Sequence, residues 1–170
     1  AGAPGGAEAF ARAYDRIGSG GEAAVGTGAG AGLDPASQVR GELERWRNHF
    51  PDLDAAAEAL ADEIRLGAGD LYGALAERLR VRHQLSIRVL PVDVMPDMLR
   101  RLDLHARQLQ LSELLDPASR AFAVASQVGQ IEAKAEIDAL VAGAGFADRT
   151  AERLLRRHLA SYFAAAVMMP

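Results

Sequence analysis

The sequence predicts an α+β fold in which several helices surround a small three-stranded sheet. Apolar residues recur at helical spacing over most of the chain, whereas between residues 85 and 111 they alternate with polar ones, as in strands. A length of 170 residues, 49% of them hydrophobic and 25% charged, is typical of one globular domain. No apolar run is long enough to span a bilayer, so we expect a cytoplasmic protein.

A short helix and a flexible linker are predicted for residues 1–34. Phe10, Tyr14 and Ile17 are spaced as on one helix face, and residues 18–32 consist mainly of glycine and other small residues. Residues 35–170 are then expected to form the folded domain. Because the chain lacks an initial Met and stops directly after a helical run, we expect it to be part of a longer protein.

Three helices are predicted before the strands. Asp34 followed by Pro35 is a typical helix start, because Asp caps free amides and Pro suits the first turn. This helix is expected to run to about Asn48. Two further helices follow, and Asp70 is expected to cap the second. Their apolar stripes are Leu53, Ala57, Leu60 and Ile64, and then Leu71, Leu75 and Leu79.

The strand segments come next. Leu85, Ile87 and Val89 alternate with polar residues, and two similar segments flank a turn at His105. Three strands that follow one another in sequence predict a small antiparallel sheet. Three more helices are expected at about 116–134, 135–141 and 148–168, and the first of them repeats the Asp-Pro-Ala-Ser start at Asp116.

Composition excludes several kinds of site. The chain has 19 Lys or Arg against 23 Asp or Glu residues, so it lacks the positive charge typical of a DNA-binding domain. It has no cysteine, which rules out disulfides, thiolate nucleophiles and Cys-ligated metal centres within these residues. The glycine-rich stretch lacks the Lys-Ser/Thr that a phosphate-binding loop requires.

Two segments resemble a zinc-peptidase-like family that includes phage-repressor-cleaving and radiation-response proteases. Residues 157–170 (RHLASYFAAAVMMP) are similar to its AN-x-FA-x-x-LLMP helix, and residues 122–132 (FAVASQVGQIE) to its F-x-x-A-H-E-L-G-H helix. In the second motif two histidines bind zinc and the glutamate activates the bound water. Ser126, Gln127 and Gln130 occupy those three positions here. The resemblance therefore implies a degenerate metallopeptidase scaffold that holds no metal and is not an enzyme.

Other segments narrow the resemblance to the short-chain fatty-acyl transcriptional regulators, which include the methylcitrate-cycle and glyoxylate-cycle regulators of mycobacteria. These segments are residues 47–54, 57–61, 101–103 and 109–112. The resemblance covers about residues 35–170 and implies a ligand-sensing domain of a bacterial regulator. Such a domain would bind short-chain acyl-CoA, such as propionyl-CoA, and control genes of short-chain fatty-acid catabolism. DNA would be bound only by a helix-turn-helix domain outside these residues, and a homo-oligomer is expected.

Two arginines are candidate contacts for the CoA phosphates, because a guanidinium can bond two phosphate oxygens at once. Arg65 precedes the glycine break after the third helix and is the first candidate, with Arg101 on the second strand as another. The alternative for Arg65 is a solvated side chain favourably placed at a helix C-terminus. Arg88 and Arg107 are expected to point away from the apolar face of the sheet.

Four further residues are candidates for the rest of the ligand. Asn48 and His49 could hydrogen-bond a ligand or simply end the helix. Tyr72 and Tyr162 combine an apolar ring with a polar tip, which suits either a ligand pocket or the core.

Two other functions stay open from the residues alone. The domain could serve only to hold an oligomer together, without a small ligand. It could also be a hydrolase, for which Ser126 and the distant His158 would be the available nucleophile and base. The preferred acyl chain and the direction of regulation do not follow from the sequence.

Overall fold

The computed structural model describes residues 32–65 and 69–169, which contain six helices and three strands. The helices are α1 (Pro35–Arg45), α2 (Pro51–Arg65), α3 (Leu71–His83), α4 (Pro117–Glu132), α5 (Lys134–Ala144) and α6 (Arg149–Met168). The strands are β1 (Ser86–Leu90), β2 (Arg100–Asp103) and β3 (Gln108–Ser112). The predicted α+β class is confirmed. The helix and most of the linker predicted for residues 1–34 lie outside the described residues.

Two helices begin as the repeated Asp-Pro-Ala-Ser segment predicts. Asp34 accepts a hydrogen bond from the Ser37 amide at 2.9 Å, and Asp116 accepts one from the Ser119 amide at 2.7 Å. Such a cap stabilises a helix by about 1 kcal/mol. Asp70 occupies the position before α3, but its side chain makes no capping hydrogen bond. Asp70 therefore precedes α3 as predicted, but it does not cap the helix with its side chain.

The sheet is mixed, so the prediction of an antiparallel sheet is wrong for one of its two strand pairs. β2 and β3 form the predicted hairpin, with Leu102 opposite Leu109. β1 pairs with β3 in parallel, with Ile87 opposite Leu109, and the strand order is β1-β3-β2. A parallel pair needs a connection of about a dozen residues or more. Residues 91–107, which include β2, provide that connection.

The described residues divide into two compact units. The sheet unit consists of residues 69–125 and contains α3 and the three strands. The helical unit consists of residues 32–65 and 126–169 and contains α1, α2, α5 and α6. The helix α4 begins in the sheet unit and ends in the helical unit.

In the sheet unit, α3 packs against β1 and the two faces of the sheet differ in polarity. Leu109 and Leu111 of β3 are fully buried, as the alternating pattern predicts. Gln108, Gln110 and Ser112 occupy the opposite face, since successive strand residues alternate in direction. Further buried side chains of this unit are Leu75, Leu79, Leu85, Met95, Leu115 and Phe122.

In the helical unit, α6 packs against α1, α2 and α5. Buried residues on these helices include Leu53, Ala57, Leu60, Ile137, Leu155, Leu159 and Phe163. Burying one such large apolar side chain stabilises the fold by roughly 1.5–3 kcal/mol. Within the described ranges, no helix is both long and apolar enough to cross a membrane.

Candidate functional site

The loop between α1 and α2 reverses the chain through two residues in the left-handed conformation. Arg47 and Asn48 have φ values of 53° and 52°. Asn adopts this conformation more readily than most residues, because its short polar side chain can bond locally. The His49 amide then donates to the Trp46 carbonyl at 3.0 Å. α1 therefore ends at Arg45, close to the predicted end near Asn48.

Phe50 anchors this loop in the core of the helical unit. Its side chain is only 2% exposed. Its ring packs against the Tyr162 ring in a T-shaped arrangement, at 5.0 Å between centroids and 88° between planes, and its centroid lies 5.8 Å from that of the Trp46 ring. Aromatic pairs in such geometry contribute about 0.5–1.5 kcal/mol beyond burial of their area. The position of α2 is therefore tied to that of α6.

The Glu42 carboxylate accepts hydrogen bonds from Trp46 and Arg45 at the end of α1. The Trp46 indole N–H donates to Glu42 at 3.1 Å, and the Arg45 guanidinium donates to the same carboxylate at 2.6 Å. The Arg45 hydrogen bond lowers the pKa of Glu42, although its burial acts in the opposite direction. Because a buried carboxylate needs such partners, this network fixes the end of α1.

Asp54 joins the loop to α6 by hydrogen bonds. The Tyr162 hydroxyl donates to Asp54 Oδ1 at 2.8 Å, and the His49 Nδ1 lies 3.2 Å from Asp54 Oδ2. The Phe50 amide in turn donates to the Tyr162 hydroxyl oxygen at 3.3 Å. We call His49, Asp54 and Tyr162 the Asp54 cluster. Tyr162 is more than 100 residues from the other two members in the sequence, and the packing of α2 on α6 brings them together.

The surroundings of Tyr162 disfavour its ionisation. Burial is the largest cause that raises the pKa of the phenol, and the nearby Asp54 carboxylate raises it further. The hydrogen bond from the Phe50 amide acts in the opposite direction. Tyr162 is therefore a neutral phenol at physiological pH that donates to a carboxylate. It offers no base or nucleophile.

A cavity of about 420 Å³ lies beside the Asp54 cluster. Its lining residues are Asp54 and Glu58 of α2, Tyr162, Ala165 and Ala166 of α6, and Met169. The two alanines leave the space open because their side chains are a single methyl group. The wall is therefore mainly apolar, with two carboxylates and one phenol at its edge.

The chemistry of this cavity favours some ligand groups over others. Apolar chains can lie against Ala165, Ala166 and Met169. Amide N–H and hydroxyl groups can donate to Asp54 and Glu58, since carboxylates only accept. The C-terminal end of α6 also carries partial negative charge, which adds to that of the carboxylates. Phosphate groups are therefore disfavoured in this cavity.

Two of the six residues predicted to bind a ligand, His49 and Tyr162, meet at Asp54. Asn48 and His49 lie in the loop, and Tyr162 lines the cavity. Arg65 does not join them: it is the last residue of α2, about 16 Å along the helix from Asp54 at 1.5 Å per residue. Its guanidinium is exposed and lies 3.6 Å from Asp62. This arrangement matches the alternative of a solvated arginine at a helix C-terminus.

The other two predicted residues belong to the sheet unit. Tyr72 is half-buried in the first turn of α3. Arg101 lies on β2 and donates through Nε to the Gln110 side chain at 2.7 Å. Both positions are compatible with a ligand contact, and neither is part of the Asp54 cluster.

Sequence reasoning missed the acidic part of the site. Asp54 and Glu58 were not selected, because acidic residues in the first turns of a helix are common for reasons of helix stability alone. The partner of Asp54 is 108 residues away in the chain. One available signal was the spacing of Asp54 and Glu58, which puts both carboxylates on one face of α2.

The three residues at the positions of the zinc motif, Ser126, Gln127 and Gln130, lie on α4. Ser126 and Gln127 are buried, at 3% and 2% exposure, and Gln130 is half-buried. A hydroxyl and two amides are weak ligands for Zn²⁺, which prefers His, Cys and carboxylate. Among the described residues no three His, Cys, Asp or Glu side chains are grouped as metal ligands. The residues therefore do not fit a zinc site, and the buried Ser126 hydroxyl is closed to a substrate.

The scaffold around those positions is closely packed. A Cβ added to Gly129 would lie 2.5 Å from the Phe163 ring. The α4 backbone and the α6 side chain therefore touch at this point, within the helical unit. Gly129 and Phe163 both fall in the two segments that resemble the zinc-peptidase-like motifs. The contact between these helices is therefore present in a chain whose zinc-motif positions are Ser126, Gln127 and Gln130.

A model of a known protein family matches more than half of this chain. Residues 80–170 match the model of the IrrE N-terminal-like domain, in peptidase family M78.

Two transcriptional regulators of Mycobacterium tuberculosis are similar to this chain. The HTH-type transcriptional regulator RamB is 33% identical over 145 residues, which are 85% of this chain and 30% of the regulator. The HTH-type transcriptional regulator PrpR is 32% identical over 137 residues, which are 80% of this chain and 28% of the regulator. A solved structure of a Mycobacterium tuberculosis transcriptional regulator aligns with a TM-score of 0.73 and 30% identity, over 81% of this chain and 42% of that one. This chain thus spans about 30% of the length of the curated relatives.

Proposed function

This chain belongs to the IrrE N-terminal-like domain family, and on that premise we propose that it is the ligand-sensing domain of a bacterial transcriptional regulator. Its effector is a short-chain acyl-CoA, such as propionyl-CoA. The observation that supports the regulatory role most directly is the similarity to two HTH-type transcriptional regulators over at least 80% of the chain. DNA is contacted by a helix-turn-helix domain outside these residues, in the cytoplasm. The regulated genes serve short-chain fatty-acid catabolism.

The residues at the family's zinc positions support sensing rather than catalysis. Ser126, Gln127 and Gln130 supply neither tight zinc ligands nor a carboxylate base. A family fold without its metal ligands can still bind a ligand through other surfaces, because function depends on the site and not on the fold. We therefore assign no reaction to this domain.

The cavity beside the Asp54 cluster suits the acyl and pantetheine end of the effector. A short acyl chain can lie against the methyl groups of Ala165 and Ala166. The amide N–H groups of pantetheine can donate to Asp54 and Glu58. The volume of about 420 Å³ lies within the range of small-molecule pockets, which is about 300–1,000 Å³.

The Asp54 cluster also offers a route from ligand to regulation. Tyr162 and Asp54 hold the loop through hydrogen bonds to each other and to the Phe50 amide. A ligand that takes over one of these bonds changes the balance between two arrangements of the loop and α1. The effect on DNA then depends on how this shift is passed to the DNA-binding domain.

Native mass spectrometry tests the proposal. The chain as purified is compared with the chain after addition of propionyl-CoA, and acetate serves as the negative control. We expect an adduct of the mass of the acyl-CoA on most molecules. Ala166→Leu, which fills the cavity, should reduce that adduct strongly, whereas Ala139→Leu on the exposed side of α5 should not.

The second candidate function is an oligomerisation module without a small ligand. It predicts a bare oligomer that saturating propionyl-CoA leaves unchanged in mass. That outcome would remove the sensor proposal and leave a structural role between domains.

A further inference from the structure

We propose that the cavity beside the Asp54 cluster selects uncharged acyl groups, and that Asp54 and Glu58 reject an acyl group that carries its own carboxylate. The inference rests on the proposed function and deepens it, because it names the class of acyl group that the effector carries. It concerns the helical unit alone, since each of the described residues that line the cavity belongs to that unit. It does not depend on where the rest of the CoA molecule binds.

Two carboxylates line the cavity from the same face of α2. Asp54 and Glu58 are four residues apart, which puts their Cβ atoms about 5–6 Å from each other on one side of the helix. The cavity volume of about 420 Å³ is near the lower end of the range of small-molecule pockets, about 300–1,000 Å³. A short acyl group in so small a cavity therefore lies close to both carboxylates.

The partners of these carboxylates leave their negative charge in place. The Tyr162 hydroxyl donates to Asp54 at 2.8 Å, and it is neutral because burial and the nearby carboxylate raise its pKa. His49 lies 3.2 Å from Asp54 and adds a positive charge only when it is protonated. Within residues 32–65 and 69–169, neither Asp54 nor Glu58 forms an ion pair with Lys or Arg.

The ends of two helices also affect the electrostatic potential of the cavity. α6 ends at Met168, next to the cavity-lining Met169, and a helix C-terminus carries about half a unit of negative charge. The N-terminus of α2 carries a similar positive charge, but Asp52 and Asp54 in its first turn outweigh it. Residues 32–65 and 126–169 contain thirteen Asp or Glu against nine Lys or Arg residues. The potential in the cavity is therefore negative.

A negative potential discriminates between acyl groups of similar size. The chain of a propionyl group is uncharged and can lie against Ala165 and Ala166. A malonyl group ends in a carboxylate, which accepts hydrogen bonds and has no N–H or O–H to donate to Asp54 or Glu58. It would also lose hydration in a cavity of its own sign of charge. An amide in place of that carboxylate is uncharged and can donate its N–H groups.

Isothermal titration with malonyl-CoA and with its amide analogue, malonamyl-CoA, tests the inference, with propionyl-CoA as the reference. The two ligands share the CoA part, so the contribution of the phosphates cancels in the comparison. At low salt and slightly alkaline pH, the wild type should bind the amide at least about tenfold more tightly, because like charges a few ångströms apart repel each other. This ratio should decrease at high salt, which screens charges that are partly exposed.

Variants of the two carboxylates identify the residues responsible. Asp54→Asn/Glu58→Gln removes both charges at nearly constant size and should lower the ratio to about twofold or less. Glu58→Gln alone keeps the hydrogen bond between Asp54 and Tyr162 and should lower the ratio in part. Asp52→Asn/Asp62→Asn is the matched control, because it removes two charges from exposed positions of α2 outside the cavity lining. Its ratio should stay within about twofold of the wild type.

The outcomes separate this inference from the proposed function. Equal affinity of the wild type for the two malonyl-derived ligands overturns the inference while the sensor function stands. A ratio that persists in Asp54→Asn/Glu58→Gln also overturns it, since other residues would then select the acyl group. Binding of propionyl-CoA without either malonyl-derived ligand means that size or polarity excludes them, and the inference is wrong. If propionyl-CoA does not bind either, the proposed function fails and this inference fails with it.

Discussion

The hydrogen bonds of Asp54 and Tyr162 connect two helices of the helical unit. The Tyr162 hydroxyl donates to Asp54 and accepts from the Phe50 amide, so one side chain connects α6 to the start of α2. His49 contacts the second oxygen of Asp54. Tyr162 and His49 were predicted as ligand residues, and the structure places them in the same cluster. Whether they bind a ligand stays a prediction.

Replacing Asp54 with Asn should lower the pKa of Tyr162. Burial would still raise that pKa, but the carboxylate that also raises it would be gone. A pH titration of the ¹³Cζ signals of the tyrosines measures it. Asp52→Asn is the matched control, because Asp52 is exposed in the same first turn of α2. An equal effect of both variants would mean that helix charge and not the hydrogen bond is responsible.

The pKa of Tyr162 also predicts a loss of stability at alkaline pH. Its folded pKa is raised above the ordinary value of 10.0. A group of this kind contributes stability that is complete below the unfolded pKa and is lost as the pH rises through the folded pKa. Urea unfolding should therefore show a drop in free energy above pH 10 that is smaller in Tyr162→Phe. The same slope in both proteins would contradict this assignment.

At neutral pH, Tyr162→Phe should lower the free energy of unfolding by about 1–2 kcal/mol. The variant keeps the ring contact with Phe50 and loses two hydrogen bonds, leaving the amide of the buried Phe50 without its acceptor. Tyr72→Phe makes the same chemical change in α3 and should cost less than about 0.5 kcal/mol. Comparable costs in urea unfolding would argue against the role of these hydrogen bonds.

The helices α4 and α6 pack closely because one of the residues between them is a glycine. Gly129 lies on α4, where it faces Phe163 of α6. In the structure the Phe163 ring occupies the space where its Cβ would be. In the mixed sheet β3 lies between β1 and β2, and the strand register aligns Arg88, Gln110 and Arg101.

Gly129→Ala should therefore destabilise the protein by about 1–3 kcal/mol, since overpacking outweighs the better helix propensity of Ala. Gly143→Ala in α5 is the matched control: its Cβ would meet nothing within 4 Å. That variant should stabilise the protein by about 0.5–1 kcal/mol. The difference in thermal or urea midpoints between the two variants is the measurement. A stabilising Gly129→Ala would show that Phe163 moves aside without cost.

The whole molecule combines a match to a peptidase-like family with Ser126, Gln127 and Gln130 at the positions of the zinc motif. The match to the IrrE N-terminal-like domain confirms the predicted resemblance at the level of the family. The acyl-CoA effector, the oligomer and the regulated genes remain proposals.

Chelation should leave the stability of the chain unchanged. Ser126, Gln127 and Gln130 offer no tight zinc ligand, so folding does not depend on a metal at these positions. The melting temperature in an excess of EDTA should equal that in buffer. A drop of several degrees, restored by Zn²⁺, would reveal a metal site formed by other residues.

Propionyl-CoA should in contrast stabilise the folded protein. A ligand that binds only the folded state at 100 times its Kd adds about 2.7 kcal/mol to the free energy of unfolding. Thermal unfolding at increasing ligand concentration measures this, with acetate as the control. A melting temperature independent of propionyl-CoA would contradict the sensor proposal.

The helices, the strand segments and the residues at the three zinc-motif positions could be predicted from local features of the sequence. These depend on local periodicity, on capping residues such as Asp34 and Asp116, and on the identity of three residues in one motif. The α+β class and the β2–β3 hairpin followed from the same local signals.

Contacts between residues that are distant in the sequence depend on the tertiary packing and could not be predicted. The parallel pairing of β1 with β3 depends on the path of residues 91–107, which alternation does not encode. The contact of Asp54 with Tyr162 joins residues 108 apart, and Arg65 was separated from them by the length of α2. The physical reason is that hydrophobic periodicity specifies which face of an element is buried, whereas packing and strand register specify which partner covers it.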